Sequence, residues 1–560
     1  MTDRQQVTWE LLLQAHRRYG AGDLAAAEKL YLQVLEHQPG NRDALQNLIA
    51  VAFKNQDFAA AENRFRQLVA AFPGELKYAE QYAELLFGRG KIELAEQVYL
   101  QLLSRNPQAN GCRYNFARLL KQAGQPEAAL SQYQVALDNG ISGAEEVLAN
   151  MGVIHGELGR EREARDAYGK ALAARPGYLP ALYNRALLDE ECGDRAAAAA
   201  GFEQVLAVDP EYSDALARLA GLDQVTKPEA EIVKRLQTAL GNSRDTLQQE
   251  NLRYALGKVF DDMGKYRAAF EHYQQANLLS RKRSGVYQRQ GTEQLFQAIL
   301  KHSASAEAAA ITPVSTARLI FICGMFRSGS TLLEQMLAAH SALGAGGENR
   351  FFLRHAPLPE TLSLPAGRLS ALGRQYLESF GCSIAELGKL TNKRPDNFLH
   401  LGWLLRCFPN ARVLYTHRDA MDVCLSVHFQ AFAEDLGYDS DLLDTGHYYI
   451  QQHRLMEQMQ ARYPENIHPV DYDKLIQEPR NELEPVLAAL GLPWEAGCLQ
   501  FHTLGNRVNT ASLWQVRRPL YQQSSGRWRN YRAEPSVQQL REMLVEAGLQ
   551  IRDADTALRK

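Results

Sequence analysis

The sequence predicts an α-helical repeat solenoid followed by an α/β domain of the P-loop type with a central parallel sheet. Three observations carry this. Prolines and small residues recur every 34 residues through the first half. An apolar run, a glycine-bounded loop and a helical segment follow one another from Arg318 to Ala339. Two further apolar runs, ending at His417-Arg418 and at Val470-Asp471, stop in charge as buried parallel strands do.

At 560 residues the chain exceeds one ordinary core, so a domain joined to a repeat array is expected. A formal charge of −3 gives no ground for non-specific binding to nucleic acid or to an anionic membrane. Residues Met1 to Glu10 contain no apolar leader, and no run has the length of a bilayer span, so the expected location is cytoplasmic. The seven cysteines (Cys112, Cys192, Cys323, Cys382, Cys407, Cys424, Cys498) have no metal-binding spacing and are expected as buried thiols.

The repeat ladder runs through Pro39, Pro73, Pro107, Pro176 and Pro210, with Ile141 on a rung without proline and one extra residue before Pro176. Eight residues before each rung stands an aromatic: Tyr31, Phe65, Tyr99, Tyr133, Tyr168 and Phe202. Four residues earlier stands an alanine: Ala27, Ala61, Ala95, Ala129, Ala164 and Ala198. One helical turn separates the two, so the ring packs where the small side chain admits the neighbouring helix. Gly22, Gly90, Gly124, Gly159 and Gly193 mark the turns within pairs, with Gln56 replacing one. A further copy carries Gly264, Ala269 and Tyr273 after an irregular stretch near 220 to 250. This pattern is that of tetratricopeptide (TPR) arrays, whose concave face often holds a peptide or protein. A protein or peptide partner there is expected; the alternative is an array that shapes or dimerises the second half. The expected layout is a TPR array over 1–285, a connection over 286–316 around the Ser303-Ala-Ser-Ala stretch and Thr312-Pro313, and the α/β domain over 317–560.

Gly324-Met-Phe-Arg-Ser-Gly329-Ser330-Thr331 lies between the predicted strand and the predicted helix. Loop amides and a helix N-terminus direct positive dipoles at one anion. The spacing is that of a nucleotide P-loop, but Ser330 occupies the lysine position and the loop's cation is Arg327. A metal-dependent kinase or NTPase is thereby disfavoured. The motif Arg327-Ser328-Gly329-Ser330-Thr331 resembles the 5′-phosphosulfate loop of sulfotransferases that use 3′-phosphoadenosine 5′-phosphosulfate (PAPS), most closely the tyrosylprotein sulfotransferases.

The resemblance implies roles at further motifs. In Gly347-Glu348-Asn349-Arg350, Glu348 matches the catalytic base, and Arg350 and Arg354 match residues that receive an acidic acceptor. The two arginines could equally form salt bridges within the domain. In Thr391-Asn392-Lys393-Arg394, Lys393 matches the cation at the transferring sulfate. Arg418 and Ser426 match the 3′-phosphate site, and Tyr472 matches a tyrosine beside the nucleotide or is a core tyrosine. Asn509-Thr-Ala-Ser512 resembles a serine loop at the sulfate, and Gly526-Arg527-Trp528-Arg529-Asn530 resembles the element that closes over the 3′-phosphate and adenine. There the basic residues expected earlier are replaced by Tyr521-Gln522-Gln523, so Arg517, Arg518 or Arg527 supplies the charge.

These residues suit the chemistry. Attack by a hydroxyl on sulfur needs a carboxylate to take the proton, and Glu348 is the expected base. Charge on the leaving oxygen needs fixed cations, and Lys393 and Arg327 fit without a metal. His340 is expected inside the helix after the loop as a structural residue. The expected activity is PAPS-dependent sulfuryl transfer, to a protein tyrosine or peptide, or alternatively to a carbohydrate, lipid or small phenol. An inactive nucleotide-binding scaffold is the reading of another class, and the persistence of Arg327, Glu348, Lys393, Arg418 and Ser426 speaks against it.

Overall fold

In a computed structural model, which describes residues 3–227, 229–305, 310–380, 386, 388–432 and 436–552, the chain divides into two compact units, Met1–Arg185 and Ala186–Lys560. No helix among the described residues is long and apolar enough to cross a membrane.

The first unit is a run of paired helices, beginning Asp3–Gly20, Leu24–His37, Arg42–Lys54 and Phe58–Ala71. The repeated alanines Ala27, Ala61, Ala95, Ala129 and Ala164 are fully buried, and the aromatics beside them are at most 5% exposed. Pro39, Pro73 and Pro107 each fall two residues beyond the last helical residue, where a missing N–H costs nothing. The turn glycines take the left-handed conformation (Gly22 at φ 80°, Gly90 at 73°), and Gln56 adopts it too, at φ 57°.

The second unit begins within helix Leu179–Glu191 and continues through further repeat helices to Tyr266–Ser284. The stretch expected as irregular contains a helix, Glu231–Asn242, and the segment expected as a connection is helical over Arg289–Ser303. Five parallel strands follow: β1 (Ile320–Gly324), β2 (Gly344–Ala345), β3 (Leu390–Lys393), β4 (Arg412–His417) and β5 (Ile467–Asp471). Their order is β2-β3-β1-β4-β5, with Ile322 paired to Lys393 on one side and to Leu414 on the other.

Alternation along the strands separates two apolar layers. Phe321, Cys323, Val413 and Tyr415 face a core with Phe296 and Ile299 of helix Arg289–Ser303, Trp403 and Met456. Ile320, Ile322, Leu414 and Val470 face Leu333, Met336 and Leu337 of helix Ser330–Ala338. A third core joins the last repeat pair to this domain: Phe270 and Tyr273 pack with Met325, Met421, Trp528 and Tyr531. Tyr273 stacks on Phe429 with ring centroids 4.1 Å apart, so a repeat-consensus aromatic is also a core residue of the α/β domain.

The described cysteines, Cys112, Cys192, Cys323, Cys407, Cys424 and Cys498, are free thiols; Cys382 lies outside the described residues.

Candidate active site

Parallel strands deliver their C-terminal ends to one edge, and chain reversals about a central strand open a crevice there. The expected residues fall along that edge in strand order. Glu348 follows β2, Lys393 ends β3, the glycine-bounded loop follows β1, Arg418 follows β4 and Tyr472 follows β5.

The loop is held tightly. Ser328 is buried and faces inward: its hydroxyl donates to the Met325 carbonyl at 2.6 Å and meets the Thr416 hydroxyl at 2.7 Å. Gly329 (φ 100°) lies against the Tyr472 ring, and a Cβ there would collide with it. Ser330 opens the helix Ser330–Ala338 and is 5% exposed, and the Thr331 hydroxyl lies 3.4 Å from that of Thr510. The amides of this first turn have no partner within the helix and are oriented for an anion.

Arg327 takes a left-handed backbone (φ 69°), which aims its side chain across the loop. Its guanidinium donates to Ser426 (3.0 Å), Ser512 (2.6 Å) and Gln515 (3.2 Å), all neutral. Burial, then the charge of Arg418, lowers its pKa to about 10. Arg418 is 4.8 Å from the Tyr472 ring centroid and donates to the carbonyls of Arg327 (3.4 Å) and Ser524. Its Nε is buried without a hydrogen-bond partner among the described residues. Two guanidinium groups thus face one cavity, Arg327 with neutral partners and Arg418 with an unused donor and the Asp422 carboxylate at 3.8 Å, an arrangement able to receive an anion. Gly329, Tyr472, Ser512, Gln515, Arg518 and Tyr521 are among the residues that complete that cavity.

On the other side of the loop the buried Lys393 ammonium donates to the carboxylate of Glu348, whose side chain is 30% exposed. The Lys393 amide donates to the Gly347 carbonyl at 3.0 Å, fixing the two segments together. A buried acid that the sequence reading missed lies behind this pair. Glu334, 3% exposed, accepts from the Gly347 amide (3.0 Å) and the Thr391 hydroxyl (2.9 Å). Burial pushes its pKa up, against the opposing pull of Lys393. The sequence signal was an acid on the apolar side of a short helix.

Arg350 caps and Arg354 lies within the short helix Phe351–His355, the Arg354 amide donating to the Arg350 carbonyl at 3.2 Å; both residues are exposed. Arg527 is directed elsewhere: it is ion-paired with Asp261 of the repeat helix Thr246–Asp262 and is not among the residues lining the cavity. The element around it is fixed by Asp422, which accepts from the amides of Gly526 and Trp528. His340 stands just beyond the helix rather than inside it, buried, with Nε2 3.0 Å from the Pro493 carbonyl. Among the described residues no group of three or more His, Cys, Asp or Glu side chains is arranged to hold a metal ion.

The fold and the site thus define a parallel α/β domain with a glycine-bounded, P-loop-type turn after its first strand, preceded in the chain by a helical repeat. Residues 319–496 match the model of the Sulfotransferase family, and residues 18–85, 145–178 and 251–283 match models of the tetratricopeptide repeat. An uncharacterised protein of Aquifex aeolicus (strain VF5) is 33% identical over 233 residues, covering 38% of this chain and 31% of that protein. Protein-tyrosine sulfotransferase 1 of Danio rerio is 27% identical over 217 residues, covering 36% of this chain and 60% of that enzyme. The sulfotransferase domain of the Synechococcus PCC 7002 olefin synthase is 20% identical, covering 42% of this chain and 95% of that domain with a TM-score of 0.33. The matched part therefore spans from about a third to three fifths of the two curated relatives. The chain thus joins tetratricopeptide repeats to a segment, 319–496, that matches the Sulfotransferase family, and part of it is distantly similar to protein-tyrosine sulfotransferases.

Proposed function

We propose that the α/β domain transfers a sulfuryl group from PAPS to a hydroxyl of a protein tyrosine or peptide presented with the help of the repeats. The carrying observation is the pairing of buried Lys393 with accessible Glu348 beside a P-loop-type turn whose lysine position is Ser330.

In this reading the 5′-phosphosulfate lies on the amides of Gly329 to Thr331, with Ser328 shaping the loop from inside. The 3′-phosphate meets Arg418 and Ser426, and Tyr472 borders the nucleotide. Glu348 takes the acceptor's proton as the new oxygen–sulfur bond forms. The bond from sulfur to the bridging oxygen breaks, and the charge left on that oxygen is met by Lys393, Arg327 and the loop amides, with Ser512 at the sulfate. Arg350 and Arg354 receive acidic residues of the acceptor. Arg527, held by Asp261, bears on the nucleotide through the segment it anchors. The concave face of the repeats binds the protein partner, and the free thiols among the described residues suit a cytoplasmic setting.

Incubation of the purified chain with labelled PAPS and a cell lysate tests this. Label on protein tyrosine is expected. Label on a carbohydrate, lipid or phenol would reassign the acceptor, and no label on any molecule would overturn the activity.

A further inference from the structure

Helix Leu179–Glu191 ends in two adjacent acids, Glu190 and Glu191, with side chains 5% and 15% exposed. Acids in a last helical turn oppose the helix dipole, and burial adds desolvation, so such a pair persists only where partners compensate it. The corresponding residues of the preceding repeat, one 34-residue period back, are Gly156 and Glu157, so the pair is no part of the repeat pattern.

Arg218 of helix Ser213–Leu222 lies 3.5 Å from the Glu190 carboxylate, and further hydrogen-bond donors come from one segment, residues 504–521. Glu191 accepts from Arg507 Nε at 2.6 Å, and its carbonyl accepts from the Val508 amide at 3.0 Å and from Arg517 Nη2 at 3.3 Å. Glu190 accepts from the Trp514 indole N–H at 3.0 Å. Gly193 leaves room for the Arg517 guanidinium, whose Nε would be 3.0 Å from a Cβ at that position. Arg195 covers the Trp514 ring, 4.5 Å from its centroid.

The regular structure within this segment is the four-residue helix Leu513–Val516, so its path is set by these ties rather than by a backbone ladder. Its opposite side carries Ser512 and Gln515, which hold Arg327, and Arg518 and Tyr521, which line the cavity. We propose that Glu190 and Glu191 are positioning residues for the nucleotide site, a clamp by which the repeat helix fixes segment 504–521 against Arg327. The proposal rests on the reading of the cavity as a nucleotide site.

The test uses the full chain and four proteins: wild type, Glu191→Ala, Glu191→Gln and Trp514→Phe. Affinity for 3′-phosphoadenosine 5′-phosphate is measured by calorimetry, KM for PAPS and kcat by transfer, and hydrogen exchange across residues 504–521 and 442–462. Glu191→Ala is expected to weaken nucleotide binding and raise KM about tenfold, with kcat at saturation reduced far less. Glu191→Gln, which keeps an acceptor oxygen, recovers part of the loss. Exchange quickens in 504–521 and not in 442–462. Trp514→Phe keeps the ring under Arg195 and loses the donor, so it gives a smaller shift of the same kind and serves if Glu191→Ala does not fold. Unchanged affinity and exchange in folded variants would overturn the clamp. A wild type that binds no nucleotide would overturn the reading of the cavity instead, and the exchange rates alone would then decide whether the clamp exists.

Discussion

Glu348 and Arg418 lie on opposite sides of one loop, so the two steps they are proposed to serve separate experimentally. Glu348→Gln keeps a hydrogen-bonding partner for Lys393 but cannot take a proton; transfer should fall at least a hundredfold while nucleotide affinity stays within about twofold of wild type. Arg418→Ala removes one of the two guanidinium groups facing the cavity, and nucleotide affinity should fall about ten- to a hundredfold, read by calorimetry. Equal loss of both properties in both variants would contradict the division. The loop was readable from its strand–turn–helix spacing, whereas the acid after β2 and the cation ending β3 were singled out through the resemblance of their motifs to a family. Arg527 and Ser328 were less readable. Spacing cannot tell that a guanidinium turns to an aspartate on a distant repeat helix, or that a hydroxyl in a phosphate loop turns inward to Met325 and Thr416.

Helix Ala420–His428 connects the site to the repeats at its far end, where the Asn277 side chain donates to the His428 carbonyl at 2.8 Å and lies 3.5 Å from its Nε2. Burial lowers the pKa of His428 from 6.5 to about 4, against the weaker upward pull of the Asp439 carbonyl and of Asp441. His400 is lowered to about 3 by burial, then by Arg394. A histidine depressed in the folded state contributes stability that is complete above pH 6.5 and lost as pH falls toward the folded value. Each should therefore cost about 1 kcal/mol of unfolding free energy per pH unit below the upper limit. Urea unfolding at pH 7 and pH 5 checks this: His428→Gln should flatten the pH dependence, and an unchanged slope would contradict it. At this scale β1, β4 and β5 were legible as apolar runs, whereas β2 (Gly344–Ala345) and β3 (Leu390–Lys393) were too short and polar to show. Helix Arg289–Ser303 was not legible either, because its apolar residues Leu295, Phe296, Ile299 and Leu300 span little more than one turn, and some of what they pack on, such as Phe398 and Tyr448 against Phe296, lies over a hundred positions away.

Across the molecule, the 34-residue period exposed the repeats in the sequence, whereas the union of the last repeats with the α/β core was hidden. Phe270 and Tyr273 look like repeat residues and also complete the core around Met421 and Tyr531. A fragment beginning at residue 317 loses those rings together with Phe296 and Ile299, so it should not fold, while 186–560 should fold and bind nucleotide; circular dichroism and calorimetry decide. A stable 317–560 fragment would contradict the shared core. The account depends most on the anion that the Arg327 loop receives. Calorimetric titration of the full chain in excess chelator, with 3′-phosphoadenosine 5′-phosphate and separately with ATP, measures it directly. Tight binding of the former and none of the latter is the predicted result; binding only of ATP, and only when magnesium is restored, would contradict it.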